Sequence, residues 1–466
     1  MLKRLFLNSF IYGLGPQIPK VIGFFVLPFI TEFLTDVDYG IHGTIMSYSA
    51  FLGAFSILGF GVILVNTYVK HPDRYIMIWR QIYGFLILWT IVYAFLQFVI
   101  LYVLMPDEVG DNKYLILFLL IFPVLFFGPV SNMALFYYQL EEKPLPITIR
   151  TILTSLITIF FNVVFIRFYK MGYMGWFYAT FIGTLFWNFS CWYPLMKLGI
   201  KPIFNFKRRL IIQYLKISLP TVFHSYGSFL IGSSNKIIMD RYNVNIGLIG
   251  KYNFAEKLYS YADLSSFAIN KALSPIIMKE YREKNEIRVL YLIRIVQILV
   301  FAGTFGIAIF SKELVDFLMR NQTLKDSYYL VIILVMIVNH KPMYMASTSV
   351  LFFTEKTKEL WKVSFIGGIL TVLIYLIVTP IYGIYGVAVG YFIGVTYLSY
   401  RGFLLKEFKN FSKVNYRPVE SLLITIFMTL VAFFIVNQNI MIKISIYILI
   451  LLLLFILLLN FIKKQK

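Results

Sequence analysis

Apolar stretches long enough to cross a bilayer recur along almost the whole of this 466-residue chain, and that recurrence limits its fold more than any other feature. They lie near 6–33, 40–66, 81–105, 114–138, 147–168, 173–198, 214–239, 247–278, 289–319, 327–353, 362–380, 384–405, 418–436 and 440–462. A helix needs about 20 residues to cross the hydrocarbon core, and lipid offers its backbone no hydrogen-bond partners. The pattern predicts an all-α polytopic membrane protein of about 14 transmembrane helices. With 59% hydrophobic and 14% charged residues, the connections are too short to hold a large soluble domain. The run at 247–278 carries Lys251, Glu256, Lys257, Asp263 and Lys271. It is read as a helix because the sidedness of its neighbours requires one there.

The net charge of +21 could suggest nucleic acid, so its placement decides. If the N-terminus is cytoplasmic, about 28 Lys and Arg fall on inner connections and termini and about eight on outer ones. That asymmetry is the positive-inside pattern. It predicts cytoplasmic termini and no nucleic-acid partner. The start, Met1-Leu2-Lys3-Arg4, runs into an apolar segment without a small-residue cleavage site and reads as an uncleaved first helix. The lone Cys191 and four scattered histidines form no disulfide framework or zinc-ligand spacing, so no metal or cofactor is expected.

The chain resembles itself at an offset of about 211 residues. Met171-Gly172-Tyr173-Met174-Gly175 corresponds to Tyr382-Gly383-Ile384-Tyr385-Gly386, Phe181-Ile182-Gly183 to Phe392-Ile393-Gly394, and Gly40 to Gly250. Glycines at tight turns and close helix approaches account for such matches. They predict a six-helix lobe over 1–198, a basic cytoplasmic linker at 199–213, a second six-helix lobe over 214–410, and two additional transmembrane helices over 411–466. Parallel repeats of this kind point to a transporter working by alternating access.

Seven cations fall within spans. Lys236, Lys251, Lys271 and Arg294 lie within one or two turns of a span end, where long side chains can snorkel. Lys20, Lys257 and Lys341 lie near mid-depth, where each would cost about 2.5–3.5 kcal/mol in lipid. They must face water, a counter-ion or an anionic ligand. Glu256 and Asp263 share a helical face with Asn270. One reading is a hydrated, cationic cavity for a phosphate or pyrophosphate; the other is an internal charge network that holds helices together. Pro19 beside Lys20 and Pro342 beside Lys341 suggest hinge-borne cations. Glu256, Asp263 and His340 are candidates for ion coupling; His224 is a weaker one.

Several segments resemble the polysaccharide-export (Wzx-like) flippase branch of the multidrug/oligosaccharidyl-lipid/polysaccharide (MOP) superfamily. They are Asn8-Ser9 before the Gly/Pro-rich first span, Phe33-Leu34-Thr35-Asp36-Val37-Asp38-Tyr39-Gly40, Ser218-Leu219-Pro220, Ile249-Gly250-Lys251-Tyr252 and Pro380-Ile381-Tyr382-Gly383-Ile384-Tyr385-Gly386. Ser233-Ser234-Asn235-Lys236 stands where the family usually has Ser-Ser-Asp-Arg. Asn235 would leave Lys236 without its local counter-charge, and Asp240, four residues on, is the candidate substitute. The resemblance implies a V-shaped, MATE-like pair of bundles around a cationic cavity lined by spans 1, 2, 7 and 8, with two added C-terminal helices. It also implies flipping of an undecaprenyl-pyrophosphate-linked oligosaccharide, such as an O-antigen or capsule repeat, across the bacterial cytoplasmic (inner) membrane. Lys20 and Lys257, assisted by Lys341, would hold the pyrophosphate. The partners it implies are membrane lipids, with a glycan polymerase and glycosyltransferases as further candidates.

Three alternatives are distinct. Asp36-Val37-Asp38 is a DxD, which a metal-dependent glycosyltransferase or polymerase could use, but its loop is too short for an external platform. A cation-coupled multidrug exporter would have to admit cations to a lysine-lined cavity. A MurJ-type lipid II flippase would share the span count.

Overall fold

The computed structural model describes residues 17–319 and 321–463, and among these it contains helices and no strand. The chain divides into two compact units, Met1–Phe229 and Leu230–Lys466. Asn8-Ser9 and the glycines and proline at 13–16 lie outside the described residues, as does Arg320.

In the first unit the helices are α1 (Ile18–Ile30), α2 (Asp36–Gly53), α3 (Gly61–Lys70), α4 (Tyr75–Leu104), α5 (Lys113–Phe127), α6 (Val130–Leu140), α7 (Pro144–Val163), α8 (Tyr173–Lys197) and most of α9 (Arg208–Gly232), whose last three residues count with the second unit. The second unit holds α10 (Ser234–Arg241), α11 (Ile246–Arg282), α12 (Glu286–Ile309), α13 (Ser311–Leu318), α14 (Tyr328–Met336), α15 (Lys341–Phe353), α16 (Thr357–Tyr400), α17 (Lys406–Phe411), α18 (Pro418–Ile435) and α19 (Ile440–Lys463). Among the described residues, seven helical stretches are long and apolar enough to cross a membrane, and the protein is multi-pass. The stretch at 358–404 is 47 residues long and covers two of the runs expected from sequence.

Several expected spans are helical but interrupted. The second breaks between Gly53 and Gly61, the fourth at Gly128-Pro129 and the seventh at Ser233. In the tenth, a 3-10 turn at Ile337–His340 separates α14 from α15, with Pro342 in the first turn of α15. Proline has no N–H to continue the preceding ladder, so the break falls there. Pro19 likewise stands in the first turn of α1, a position proline tolerates, and gives no bend within the described helix.

The internal repeat is visible as repeated local geometry. Gly172 (φ 52, ψ −136) and Gly383 (φ 53, ψ −133) adopt the same left-handed turn. Eleven residues on, a Cβ on Gly183 would lie 2.1 Å from Thr158 Oγ1, and one on Gly394 would lie 2.2 Å from Thr371 Oγ1. Each unit thus uses a glycine against a threonine to bring two antiparallel helices close.

Residues 199–207 are laid along the start of α4. Ile203 donates its N–H to the Arg80 carbonyl at 2.9 Å, Arg80 Nε donates to the Lys201 carbonyl at 3.2 Å, and a Cβ on Gly84 would strike the Ile203 carbonyl. In the second unit, α18 and α19 pack on α12. Tyr447 lies over Gly306 and donates to the Ala302 carbonyl at 3.2 Å, while fully buried Lys443 donates to both oxygens of Glu313 at 2.6 and 2.8 Å. The stretch 322–353 is 89% buried over its most apolar window, which makes it the centre of this unit.

Candidate functional site

A cluster of ionisable residues lies on α10, α11 and α15. The backbone breaks between α9 and α10, and Asn235 holds the break: its Oδ1 accepts from Lys236 N at 2.7 Å. Its amide donates to Gly232 O at 3.2 Å and to Tyr252 Oη at 2.9 Å. Lys236 is thereby turned inward and is 8% exposed. Its ammonium forms an ion pair with Glu256 and donates to Asn253 Oδ1 at 3.2 Å.

Two expectations are corrected here. Lys236 does not snorkel to a headgroup, and its counter-charge is Glu256 on α11, not Asp240, whose carboxylate faces Arg241 at 3.4 Å. Position 235 can be a neutral amide because α11 supplies the charge. Leaving either member of such a buried pair alone would be costly.

Asp263 lies seven residues beyond Glu256, two helical turns along the same face. It meets Lys341, at the start of α15, at 3.3 Å, and both side chains remain about a third exposed (29% and 32%). They open on a cavity of about 120 Å³ that Ser266, Asn270, Pro342 and Tyr344 also line. The stripe read from sequence therefore divides: Asp263 and Asn270 face the cavity, whereas Glu256 closes the pair with Lys236. Both charges are accessible from this cavity.

Lys257 is half-buried on α11, next in sequence to the Glu256 that neutralises Lys236. Lys20 is exposed on α1 in the first unit and forms no ion pair with another described residue. Lys251 reaches Asp326 at 3.6 Å, and Lys271 is exposed with its ammonium 5.6 Å from the Phe267 ring. Arg294 donates to the Tyr416 carbonyl at 2.6 Å and to Gln297 Oε1 at 3.3 Å. Fully buried His340 has both ring nitrogens against hydroxyls, Tyr400 Oη at 3.3 Å and Thr396 Oγ1 at 3.2 Å. The side chain of His224 lies outside the described residues.

Asn253, Tyr252 and Tyr344 were missed by sequence reasoning. Asn253 precedes Glu256 by three residues, so the polar stripe on α11 could have been extended back to it. The DxD has a structural role. Asp38 Oδ2 accepts from Thr35 N and Oγ1, both at 2.7 Å, and Asp38 N donates to Thr35 Oγ1 at 3.1 Å. Asp38 Oδ1 accepts from Tyr173 N at 2.8 Å. The two oxygens thus cap α2 and α8, and among the described residues no group of three or more His, Cys, Asp or Glu could hold a metal.

Residues 5–280 match the model of a family described as "Polysaccharide biosynthesis protein". No curated protein matches the chain in sequence. Among solved structures, the lipid II flippase MurJ in an inward closed conformation is similar with a TM-score of 0.67 at 14% identity, covering 90% of this chain and 97% of that one. A MATE-family multidrug resistance transporter of the MOP superfamily, inward-facing, gives 0.54 at 15% identity over 85% and 91% of the two chains. A mutant of the Vibrio cholerae MATE transporter VcmN gives 0.51 at 17% over 88% and 96%. At these identities the likeness is one of fold. The match over more than half the chain carries the family, and the protein belongs to the polysaccharide biosynthesis protein family, with the helical fold seen in MurJ and MATE transporters.

Proposed function

We propose that this protein is a flippase that carries a lipid-linked oligosaccharide, held through an undecaprenyl pyrophosphate, across the bacterial cytoplasmic membrane by alternating access. The observation that carries the reading is the Asp263–Lys341 pair, open to a cavity inside an apolar bundle and followed by Asn270 on the same face. A lysine there can exchange its carboxylate partner for a pyrophosphate oxygen, since both are charge-assisted contacts of similar length. Lys257 supplies further positive charge on α11 of the same unit, and Lys20 is the candidate cation of the first unit. The family match and the transporter fold support the same reading.

When the anion takes Lys341, Asp263 is released and becomes the best-placed group to bind a proton or sodium ion. Membrane potential contributes about 2.3 kcal/mol per charge per 100 mV, so one coupled cation suffices to bias the return step. Glu256 is already neutralised by Lys236 and His340 is enclosed by hydroxyls, so both rank behind Asp263.

The test is replacement of the chromosomal copy with Lys341→Ala or Lys257→Ala. Surface glycan should be lost and the lipid-linked precursor should accumulate, at normal membrane levels of the protein. Full surface glycan in both variants would overturn the assignment. Rescue of cells depleted of their lipid II flippase would indicate lipid II as substrate, and resistance to cationic drugs would indicate an exporter.

A further inference from the structure

The first unit contains a second cavity, of about 250 Å³, walled by the turn after α2 and by α4, α5, α6 and α8. It is larger than the one beside Lys341 and differs from it in chemistry: none of the residues lining it carries a charge. Half of them carry a hydroxyl, amide or indole N–H, among them Tyr93, Asn132, Thr180, Trp187 and Asn188. The break at Gly128-Pro129 forms part of the wall. Non-helical backbone at membrane depth is tolerated where it is buried in protein or borders a hydrated space.

The polar groups are only partly used by the protein. Asn188 Nδ2 donates to the Thr184 carbonyl at 3.0 Å, and Thr90 Oγ1 donates to the Leu86 carbonyl at 2.7 Å, which leaves an acceptor on each. Asn132 and Thr180, both half-buried, make no side-chain hydrogen bond to another described residue, so their polar atoms are open to a ligand in the cavity. A cation would find no carboxylate in this wall and an anion no base. A purely apolar molecule would leave the amides and hydroxyls unmatched. An uncharged polyol matches all of them, and the aromatic residues Trp187, Phe177 and Phe181 in the wall suit the C–H face of a pyranose. A cavity of about 250 Å³ has room for one sugar ring.

We propose that this cavity in the first unit is a binding site for a single neutral sugar ring of the transported glycan, recognised by Asn132, Thr180 and Asn188 and stacked on Trp187. The proposal rests on the flippase reading for its biological ligand, but its chemistry stands on the first unit alone. The sugar is assigned to this cavity of the first unit, and the pyrophosphate separately to Lys341 of the second.

The test uses full-length protein in lipid nanodiscs, with saturation-transfer NMR reporting binding of free N-acetylglucosamine, glucose and galactose, and phosphorus NMR reporting inorganic pyrophosphate. At least one sugar should bind the wild type. Asn132→Leu should weaken it about tenfold, the effect of losing one good hydrogen-bonding group, and leave pyrophosphate binding intact. Lys341→Ala should do the reverse. Thr180→Val provides a second probe if Asn132→Leu melts early, and the rate of maleimide labelling of Ser131→Cys should fall when sugar is present. No sugar binding to the wild type, binding unaffected by both substitutions, or tighter binding of tetraphenylphosphonium that Asn132→Leu abolishes would each overturn the proposal. Loss of pyrophosphate binding in none of the variants would instead count against the assignment of Lys341, leaving the sugar site standing.

Discussion

Two lysine–carboxylate pairs along α11 differ in burial, and that difference separates their roles. Lys236 and Glu256 are nearly closed off, with side-chain exposures of 10% and 19%. Replacing Glu256 with Gln strands a buried ammonium and should cost about 3–5 kcal/mol. The double variant Lys236→Met/Glu256→Leu should recover most of that, because apolar residues of similar volume avoid the desolvation cost. Thermal unfolding of purified protein in detergent measures both; equal losses in the single and double variants would mean the pair contributes nothing through its charge. Asp263→Asn removes a pair that water already reaches, so its stability change should stay below about 1 kcal/mol. Glycan export should nevertheless fail if Asp263 is the coupling group. The positions of these charges were legible in the sequence, whereas the partner of Lys236 was not. Depth counting treats a span as one straight helix, but the break at Ser233 turns Lys236 inward, and a partner on the next helix leaves no i, i+4 signature. His340 escaped for a related reason: it closes a 3-10 turn whose hydroxyl neighbours come from α16.

At the level of whole helices, hydropathy located the runs well and was blind to their interruptions. Gly59 illustrates why: its φ of 70 and the Ser218 carbonyl 2.4 Å from a would-be Cβ permit only glycine, yet its flanking residues are as apolar as any in a span. The glycine repeats were more informative, since a glycine required by a close approach carries a specific partner. Gly394→Ala should therefore destabilise the second unit, because the new Cβ would overlap Thr371 Oγ1 at 2.2 Å and overpacking costs about 1–3 kcal/mol. Thr371→Ala should relieve part of the loss in the double variant, and Gly183 with Thr158 should behave the same way in the first unit. Melting temperatures of the four combinations in each unit give the coupling energy; strict additivity would remove the glycine–threonine contact as the cause. The capping role of Asp38 has its own test. Asp38→Ala loses caps on α2 and α8 and should cost about 1–2 kcal/mol. Asp36→Asn should leave glycan export unchanged, whereas a metal-dependent transferase would need both aspartates.

Over the whole chain, the hydrogen bonds and ion pairs between connections bear on topology. Arg80 with Lys201, Tyr68 with Glu141, and Glu286 with Lys413 each join residues expected on the inner side. Asp38 with Tyr173, Lys251 with Asp326, and Lys443 with Glu313 each join residues expected on the outer side or at the outer end of a span. A span wrongly added or omitted within either unit would place some of these partners across a bilayer of about 30 Å from one another. Within each unit, then, these contacts join residues that the charge argument assigns to the same side. Absolute orientation rests on the basic residues alone, because a mirror assignment satisfies the same contacts. With the basic connections inside, a green fluorescent protein fused after Lys466 should fluoresce, and alkaline phosphatase at that point should be inactive. Alkaline phosphatase inserted after Lys325, in the outer turn before α14, should be active. The opposite pattern would invert the protein in the membrane, placing the Lys201–Arg209 connection outside and leaving the positive-inside asymmetry without a cause.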